Sequence, residues 1–415
     1  MSLRQRQEVQ ELPRSRGNIA IVGGGAAGCF CAALLTEMSP GCAVTVFEAG
    51  PRLMAKLSLT GGGRCNLTNT FESVEDLSEV YPRGHRLMRR LLSEYGPGDV
   101  MTWFEGRGVK FKVEDGGRVF PVSDDAGQIV RALRGAMSDG AVRVVTSRRI
   151  GTLSELDGYD AIVVTAGGMG AGLRLPPEVE TVPPVPSLFP LKINDTALKQ
   201  LPGVTLEHVS LSLKAGGKRF ASDGPMVLTH KGLSGPAVLR LSSYAARELA
   251  QSGYRAELHI DFTGLGQEGA LELMTRLSAD SASRLVSGAH PECIPSRLWA
   301  LLASRGGVRP EGRWGELAPK SLRRLGQTVS DYPCEVSGKA PWGDEFVTCG
   351  GVALGAVNPR TLEARAVPGL YFAGEILDID AVTGGFNLQA AWSTAHAVAS
   401  ACDSGRERQR FSVLQ

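Results

Sequence analysis

Ile19-Ala20-Ile21-Val22-Gly23-Gly24-Gly25-Ala26-Ala27-Gly28 decides how the rest of this sequence is read. Four apolar residues run into three glycines, and helix-forming residues follow from Ala26 to Met38. An uninterrupted apolar run suits a parallel strand covered on both faces. Ala43 to Phe47 supplies a second strand, so the segment predicts a βαβ unit with the glycines in its first turn. Gly23, Gly25 and Gly28 have the G-x-G-x-x-G spacing of a dinucleotide site, and Glu48 closes the second strand 25 residues after Gly23, where an acidic ribose partner is expected. The first glycine permits the tight turn, the second admits a pyrophosphate to the backbone, and the third lets helix and strand pack. N–H groups at the helix start, including those of Ala26 and Ala27, carry the partial positive charge that favours phosphate. Glu48 would repel a 2′-phosphate on its ribose, so this site is not one for NADP.

Working outward, glycine is the compositional outlier, at 52 of 415 residues, when an average chain has about 7%. The glycines cluster without a period, which rules out collagen and points to close backbone–ligand contact. With 45 basic and 43 acidic residues the net charge is +2, which gives no reason to expect a nucleic-acid partner. The eight cysteines show no CxxC spacing, so free thiols, no metal site and a cytoplasmic location are expected. Arg14 and Arg16 before an uncharged run resemble a signal peptide, but three glycines would spoil its core. No other run reaches the length needed to span a bilayer, and no membrane partner is expected. The sequence does not speak to oligomeric state.

Along the chain, residues 1–17 read as a flexible leader, and 18–190 as the first part of a nucleotide-binding unit. Helical composition spans His85 to Gly106, a hairpin turns at Asp115-Gly116-Gly117, and Ser123-Asp124-Asp125 caps a helix through Met137. Strands are expected at 142–147 and 159–165, the latter ending in Ala166-Gly167-Gly168. Prolines from Pro176 to Pro190 mark a linker. Residues 191–331 read as an insert, with alternating strands at 206–213 and 254–262 followed by mostly helical 271–324. Residues 332–405 return to the nucleotide-binding unit, and 406–415 form a tail.

A second glycine-started helix suggests which dinucleotide is held. Gly374-Glu375 follows a short strand, and Thr383-Gly384-Gly385-Phe386-Asn387-Leu388-Gln389 opens an apolar helix. Its N–H groups suit the negative charge at the pyrimidine end of a reduced flavin, which favours FAD over NAD. No second G-x-G-x-x-G appears, so any NAD(P)H would dock from the insert side as a transient electron donor.

These motifs, with Thr60-Gly61-Gly62-Gly63-Arg64-Cys65-Asn66-Leu67-Thr68-Asn69 and Thr229-His230-Lys231-Gly232-Leu233-Ser234-Gly235-Pro236-Ala237, resemble the BaiN-like NAD(P)/FAD-dependent oxidoreductases, also called the aminoacetone oxidase family, over residues 18–402. The resemblance implies an α/β fold with a two-piece Rossmann-like FAD-binding domain of glutathione-reductase type and an inserted β-barrel plus helical domain. It implies an enzyme that moves a hydride between a small organic substrate or NAD(P)H and flavin N5. An FAD-dependent tRNA-modifying or protein-partnered enzyme, or a non-catalytic flavin sensor, is the alternative. Leu53-Met54-Ala55-Lys56 departs from the family's glycine and basic pair.

The expected cofactor contacts are therefore Gly23, Gly25, Ala26, Ala27, Gly28, Glu48, Lys56, Gly63, Arg64, Asn66, Ala166, Gly167, Gly374, Glu375, Gly384, Gly385, Phe386, Asn387 and Leu388. Arg64 and Asn66 are placed to reach flavin or phosphates; Lys56 reads equally as a phosphate contact or a solvated side chain. Cys65 reads as a small filler more than a reactive thiol. His230 is the candidate acid or base, against a plain loop histidine. Ser234 lacks the G-x-S-x-G elbow of a hydrolase.

Overall fold

A computed structural model describes residues 17–168, 172–339 and 347–413, with side chains to residue 403. The first sixteen residues of the expected leader and the last two of the tail lie outside the described residues. β1 (Asn18–Val22), α1 (Ala26–Met38) and β2 (Ala43–Phe47) form the βαβ start. β1 is the centre of a five-stranded sheet with the order Leu370–Phe372, Ala161–Val164, β1, β2, Arg143–Val145. All four pairings are parallel. Ile19, Ala20 and Ile21 are fully buried, because layers cover both faces of the sheet. One edge strand comes from the far end of the chain, so the sheet is assembled from two pieces.

Between those pieces stands a closed six-stranded barrel, with a hydrophobic core of its own. Its strands run in the order Thr205–Ala215, Lys218–Leu228, Gly232–Ser234, Leu191–Ile193, Tyr332–Lys339, Ala256–Asp261. Helices Gly266–Asp280, Ser296–Arg305 and Pro319–Ser330 complete this inserted unit. The fold is α/β, with a two-piece Rossmann-like unit and an inserted barrel and helical unit.

Several expected elements are redrawn. The proline linker contains a strand, Thr181–Ser187, paired antiparallel with Val347–Val352; prolines are tolerated because this ribbon has only two strands and its register shifts between Cys349 and Gly351. Tyr332–Lys339 closes the barrel by burying Tyr332, Cys334 and Val336, so the chain leaves the insert after Lys339 instead of at residue 331. The helical stretch from His85 splits into His85–Glu94 and Pro97–Glu105, since Gly96 caps the second helix and Pro97 takes its first position. The strand at 206–213 is half of a long hairpin whose return, Lys218–Leu228, is disguised by Asp223-Gly224-Pro225. The final helix starts at Phe386 and runs to Val413, into the expected tail. Among the described residues no helix is long and apolar enough to cross a membrane.

Candidate functional site

The loops after β1, after Ala161–Val164 and after Leu370–Phe372 gather at the carboxyl edge of the sheet, where open parallel sheets bind ligands. Gly23 has φ +112°, and a Cβ there would lie 2.5 Å from the Thr165 carbonyl oxygen. A Cβ on Gly28 would lie 2.0 Å from the Gly23 carbonyl oxygen, so these two glycines serve close packing. Thr165 Oγ1 donates to that same carbonyl at 2.7 Å. Gly25 differs: nothing lies within 4 Å of its Cβ position, so the start of α1 opens onto free space. The first bond of α1 runs from Cys29 N to Gly25 O, which leaves the N–H groups of Ala26, Ala27 and Gly28 ahead of any intrahelical acceptor.

Glu48 is half-buried beside this turn. Its Oε2 accepts from Gly24 N at 2.8 Å and its Oε1 from Gly50 N at 2.6 Å, which aims the carboxylate and leaves lone pairs for a ligand hydroxyl. Ala166 lies against Gly23, and Gly167 has φ +76° beside Glu375. Gly374 N donates to Thr394 Oγ1 at 2.9 Å, and Glu375 Oε1 accepts from Thr348 N at 2.9 Å. Lys56 Nζ reaches both Glu375 oxygens, at 3.2 and 3.0 Å, while its side chain stays largely exposed.

The two motifs separated by more than 300 residues interlock. With its amide turned to satisfy both neighbours, Asn66 donates to Thr68 O at 3.0 Å and accepts from Gly385 N at 3.1 Å. Asn69 Nδ2 donates to Gly384 O at 3.1 Å, and Thr68 Oγ1 donates to Gln389 Oε1 at 2.5 Å. Asn387 holds the preceding loop through Ala381 N and Ala381 O, both at 2.9 Å. Phe386 is buried and its carbonyl accepts from the buried Tyr81 hydroxyl at 2.8 Å, while Leu388 packs on the same core. Gln389 N is the first to bond within this helix, to Gly385 O, so the N–H groups of Phe386, Asn387 and Leu388 precede any intrahelical acceptor. Gly62 and Gly63, at φ +69° and +87°, have nothing within 4 Å of their Cβ positions.

Arg64 is engaged elsewhere. Its Nε donates to Asp124 at 2.8 Å, its Nη2 to Glu114, and its guanidinium lies 4.1 Å over the Phe120 ring. Those partners lie on and beside the hairpin that follows, so Arg64 ties the glycine loop to it. Cys65 is fully buried at φ +61°, and burial pushes its thiol up to about 12. A neutral thiol is a poor nucleophile. Cys65→Ala is therefore expected to keep full flavin content and a bleaching rate within about twofold of wild type, with about 1 kcal/mol of stability lost. A drop of tenfold or more in bleaching would give the thiol a chemical role.

His230 is exposed on the turn between Lys218–Leu228 and Gly232–Ser234, and takes no part in the bonds that unite the glycine loops. The glycines around it serve the barrel: a Cβ on Gly232 would lie 2.2 Å from Leu191 O, and one on Gly235 2.9 Å from Pro225 O. Thr68, Asn69 and Gln389 lie inside the quoted motifs, yet their linking role shows only when the two are brought together. Arg83 and Asp380 carried no sequence signal. Arg83 Nε donates to Asp380 Oδ1 at 2.6 Å, and the fully buried Asp380 also accepts from Ser187 Oγ at 2.9 Å. Arg83 Nη1 donates to Ser243 O at 2.8 Å, which joins the insert to the loop ahead of Gly384.

The arrangement fits an extended dinucleotide. It offers a helix N-terminus at an open glycine, a carboxylate held by two amides, a cation beside Glu375, and a second helix N-terminus bordering open Gly62 and Gly63.

Residues 17–171 match the HI0933-like protein Rossmann domain, and residues 185–347 match the HI0933-like protein barrel and H2TH domain. The chain is 27% identical over 406 residues to a 3-dehydro-bile acid delta(4,6)-reductase of Clostridium scindens, covering 91% of this chain and 97% of that one. It is 29% identical over 409 residues to a ribosomal RNA dihydrouridine synthase of Escherichia coli, covering 92% and 97%. A 3-ketosteroid delta1-dehydrogenase from Sterolibacterium denitrificans is 11% identical with a TM-score of 0.46, covering 94% of this chain and all of that one.

Proposed function

Because the chain belongs to the HI0933-like family, whose members are FAD-dependent oxidoreductases, we propose that it reduces a carbon–carbon double bond conjugated to a carbonyl, with NAD(P)H as the electron source. The two relatives support this reading through one bond type. A 3-dehydro steroid with a Δ4 double bond and the 5,6 bond of uridine are both alkenes conjugated to a carbonyl.

The observation that carries the proposal is the junction of Asn66, Thr68 and Asn69 with Gly384, Gly385 and Gln389, which sets a helix N-terminus at the open glycines. Bound there, FAD supplies a two-electron acceptor and donor. The N–H groups of Phe386 to Leu388 would hold negative charge at the pyrimidine end. Gly25, Ala26, Ala27 and Gly28 would hold the pyrophosphate, Glu48 the ribose hydroxyls, and Lys56 and Glu375 the stretch between, flanked by Gly63, Ala166, Gly167 and Gly374. Substrate would enter between the sheet unit and the insert. Reduction needs a hydride at the β-carbon and a proton at the α-carbon, and the His230 imidazole on the insert is the side chain assigned to give that proton.

Anaerobic titration tests the reading. NADH or NADPH should bleach the flavin, and a conjugated enone or uridine should restore its colour mole for mole with loss of the double bond. Bleaching by an amine, with peroxide on readmission of air and no response to either nicotinamide, would replace the reductase with an oxidase.

A further inference from the structure

The insert is joined to the sheet unit by two chain crossings, Ser187 to Leu191 and Lys339 to Val347, and both lead to one two-stranded ribbon, Thr181–Ser187 with Val347–Val352. A closed barrel with its own core, carried on a two-stranded stalk, moves as a body unless other contacts hold it. Three such contacts come from one helix pair of the insert, Pro236–Tyr244 and Ala246–Gln251. Tyr244 Oη donates to Glu79 O at 2.8 Å, Ser243 O accepts from Arg83, and Arg247 Nη2 donates to both Asp378 oxygens, at 2.7 and 2.8 Å.

Asp378 and Asp380 both lie on the loop between Leu370–Phe372 and the helix that starts at Phe386, and the pairs they form are unequal. The Asp380 side chain has no solvent exposure and that of Arg83 keeps 12%, so water does not compete for this bond. The outer pair is wetter, with Arg247 at 38% and Asp378 at 13%, and opens at smaller cost. Arg247 is the one side-chain partner of Asp378 among the described residues, while the adjacent Glu248 is taken by Lys218 at 2.6 Å. The inner pair is thus a pivot and the outer pair a latch. The latched helices also govern His230, because Gly232–Ser234 leaves the His230 turn and runs directly into Pro236–Tyr244. Where the helices seat decides where that turn stands relative to the sheet unit.

We propose that Arg247 is a positioning residue: its bond to Asp378 seats the insert on the loop ahead of the flavin helix and so forms the substrate cleft, while cofactor binding does not depend on it. The proposal rests on the reading above that substrate enters between the sheet unit and the insert. Without the bond the insert samples unseated positions, and substrate is captured only by the seated fraction. If that fraction falls to about one tenth, apparent affinity falls about tenfold, whereas saturating substrate draws the insert down and restores the rate.

The test uses the FAD-loaded full chain, reduced anaerobically with dithionite and mixed with cyclohexenone. Reduced flavin gives a hydride to the β-carbon, a proton adds at the α-carbon, and the return of flavin colour follows the step. Arg247→Gln should raise the enone concentration at half-maximal rate by about tenfold, with the limiting rate within about twofold of wild type and flavin content unchanged. Asp378→Ala should do the same, the double variant should be no worse than either single, and Arg247→Lys should recover most of the loss. Amide hydrogen exchange reads the seating without turnover: residues 237–251 should exchange at least about threefold faster in Arg247→Gln, with the barrel strands unmoved. An unchanged half-saturation concentration overturns the proposal. So does a raised one with unmoved exchange, which would make Arg247 a substrate contact, or loss of flavin from Arg247→Gln, which would make the pair part of the cofactor's own frame. If neither cyclohexenone nor uridine reoxidises the reduced wild type, the double-bond reading fails, and the exchange rates of residues 237–251 alone then uphold or overturn the latch.

Discussion

Gly385→Val is expected to yield protein without flavin. Gly385 has φ +93°, a conformation that a β-branched residue adopts only under strain. Space is the greater obstacle, since a Cβ would lie 2.2 Å from Thr68 O, 2.5 Å from the Thr68 carbonyl carbon and 2.9 Å from the Asn66 amide. Thr68 cannot withdraw, being paired with Val119 and hydrogen-bonded to Gln389. The helix start must then shift away from Asn66, and the N–H groups meant for the pyrimidine end move with it. We expect FAD affinity to fall by at least about 100-fold, roughly 3 kcal/mol. The ratio of flavin to protein absorbance after gel filtration reads this directly, with circular dichroism as the check on folding. A yellow, fully loaded variant would mean that the ring lies elsewhere.

Arg83→Met should produce the largest loss of stability, about 3–5 kcal/mol, because it strands a charge. Asp380 has no solvent exposure, and without Arg83 its carboxylate keeps the Ser187 hydroxyl as its one side-chain partner among the described residues. The contact from Arg83 to Ser243 is lost as well. Adding Asp380→Leu to the same chain should restore much of the deficit, as an apolar pair replaces a stranded ion. Chemical denaturation of the two variants and wild type measures the difference. If the single variant unfolds with the double, or later than it, the pair does not act as a buried ion pair.

How much of this was legible in the sequence depended on whether the signal was local. The βαβ start, Asp125 as a helix cap and the turn at Asp115-Gly116-Gly117 follow from residues close in the chain, and the structure has each of them. Both glycine motifs could be read, but not that Asn66 accepts from Gly385, since that bond depends on how two distant loops pack. The Arg83–Asp380 pair spans 297 residues and lies between ordinary surface-like residue types, so nothing announced its burial. Thr181–Ser187 was hidden because its prolines argue against any strand, and only its partner Val347–Val352 makes it one.

The two-piece sheet has a consequence for synthesis. Ala161–Val164 must wait for Leu370–Phe372 to pair on its outer side, and the helix that begins at Phe386 is made later still. During translation the ribosome finishes the whole barrel and helical unit while the first part of the sheet still has an open edge. The nascent chain therefore cannot complete its cofactor-binding sheet until Leu370–Phe372 and the helix from Phe386 have emerged, which leaves the unfinished sheet exposed to chaperones and proteases in the interval.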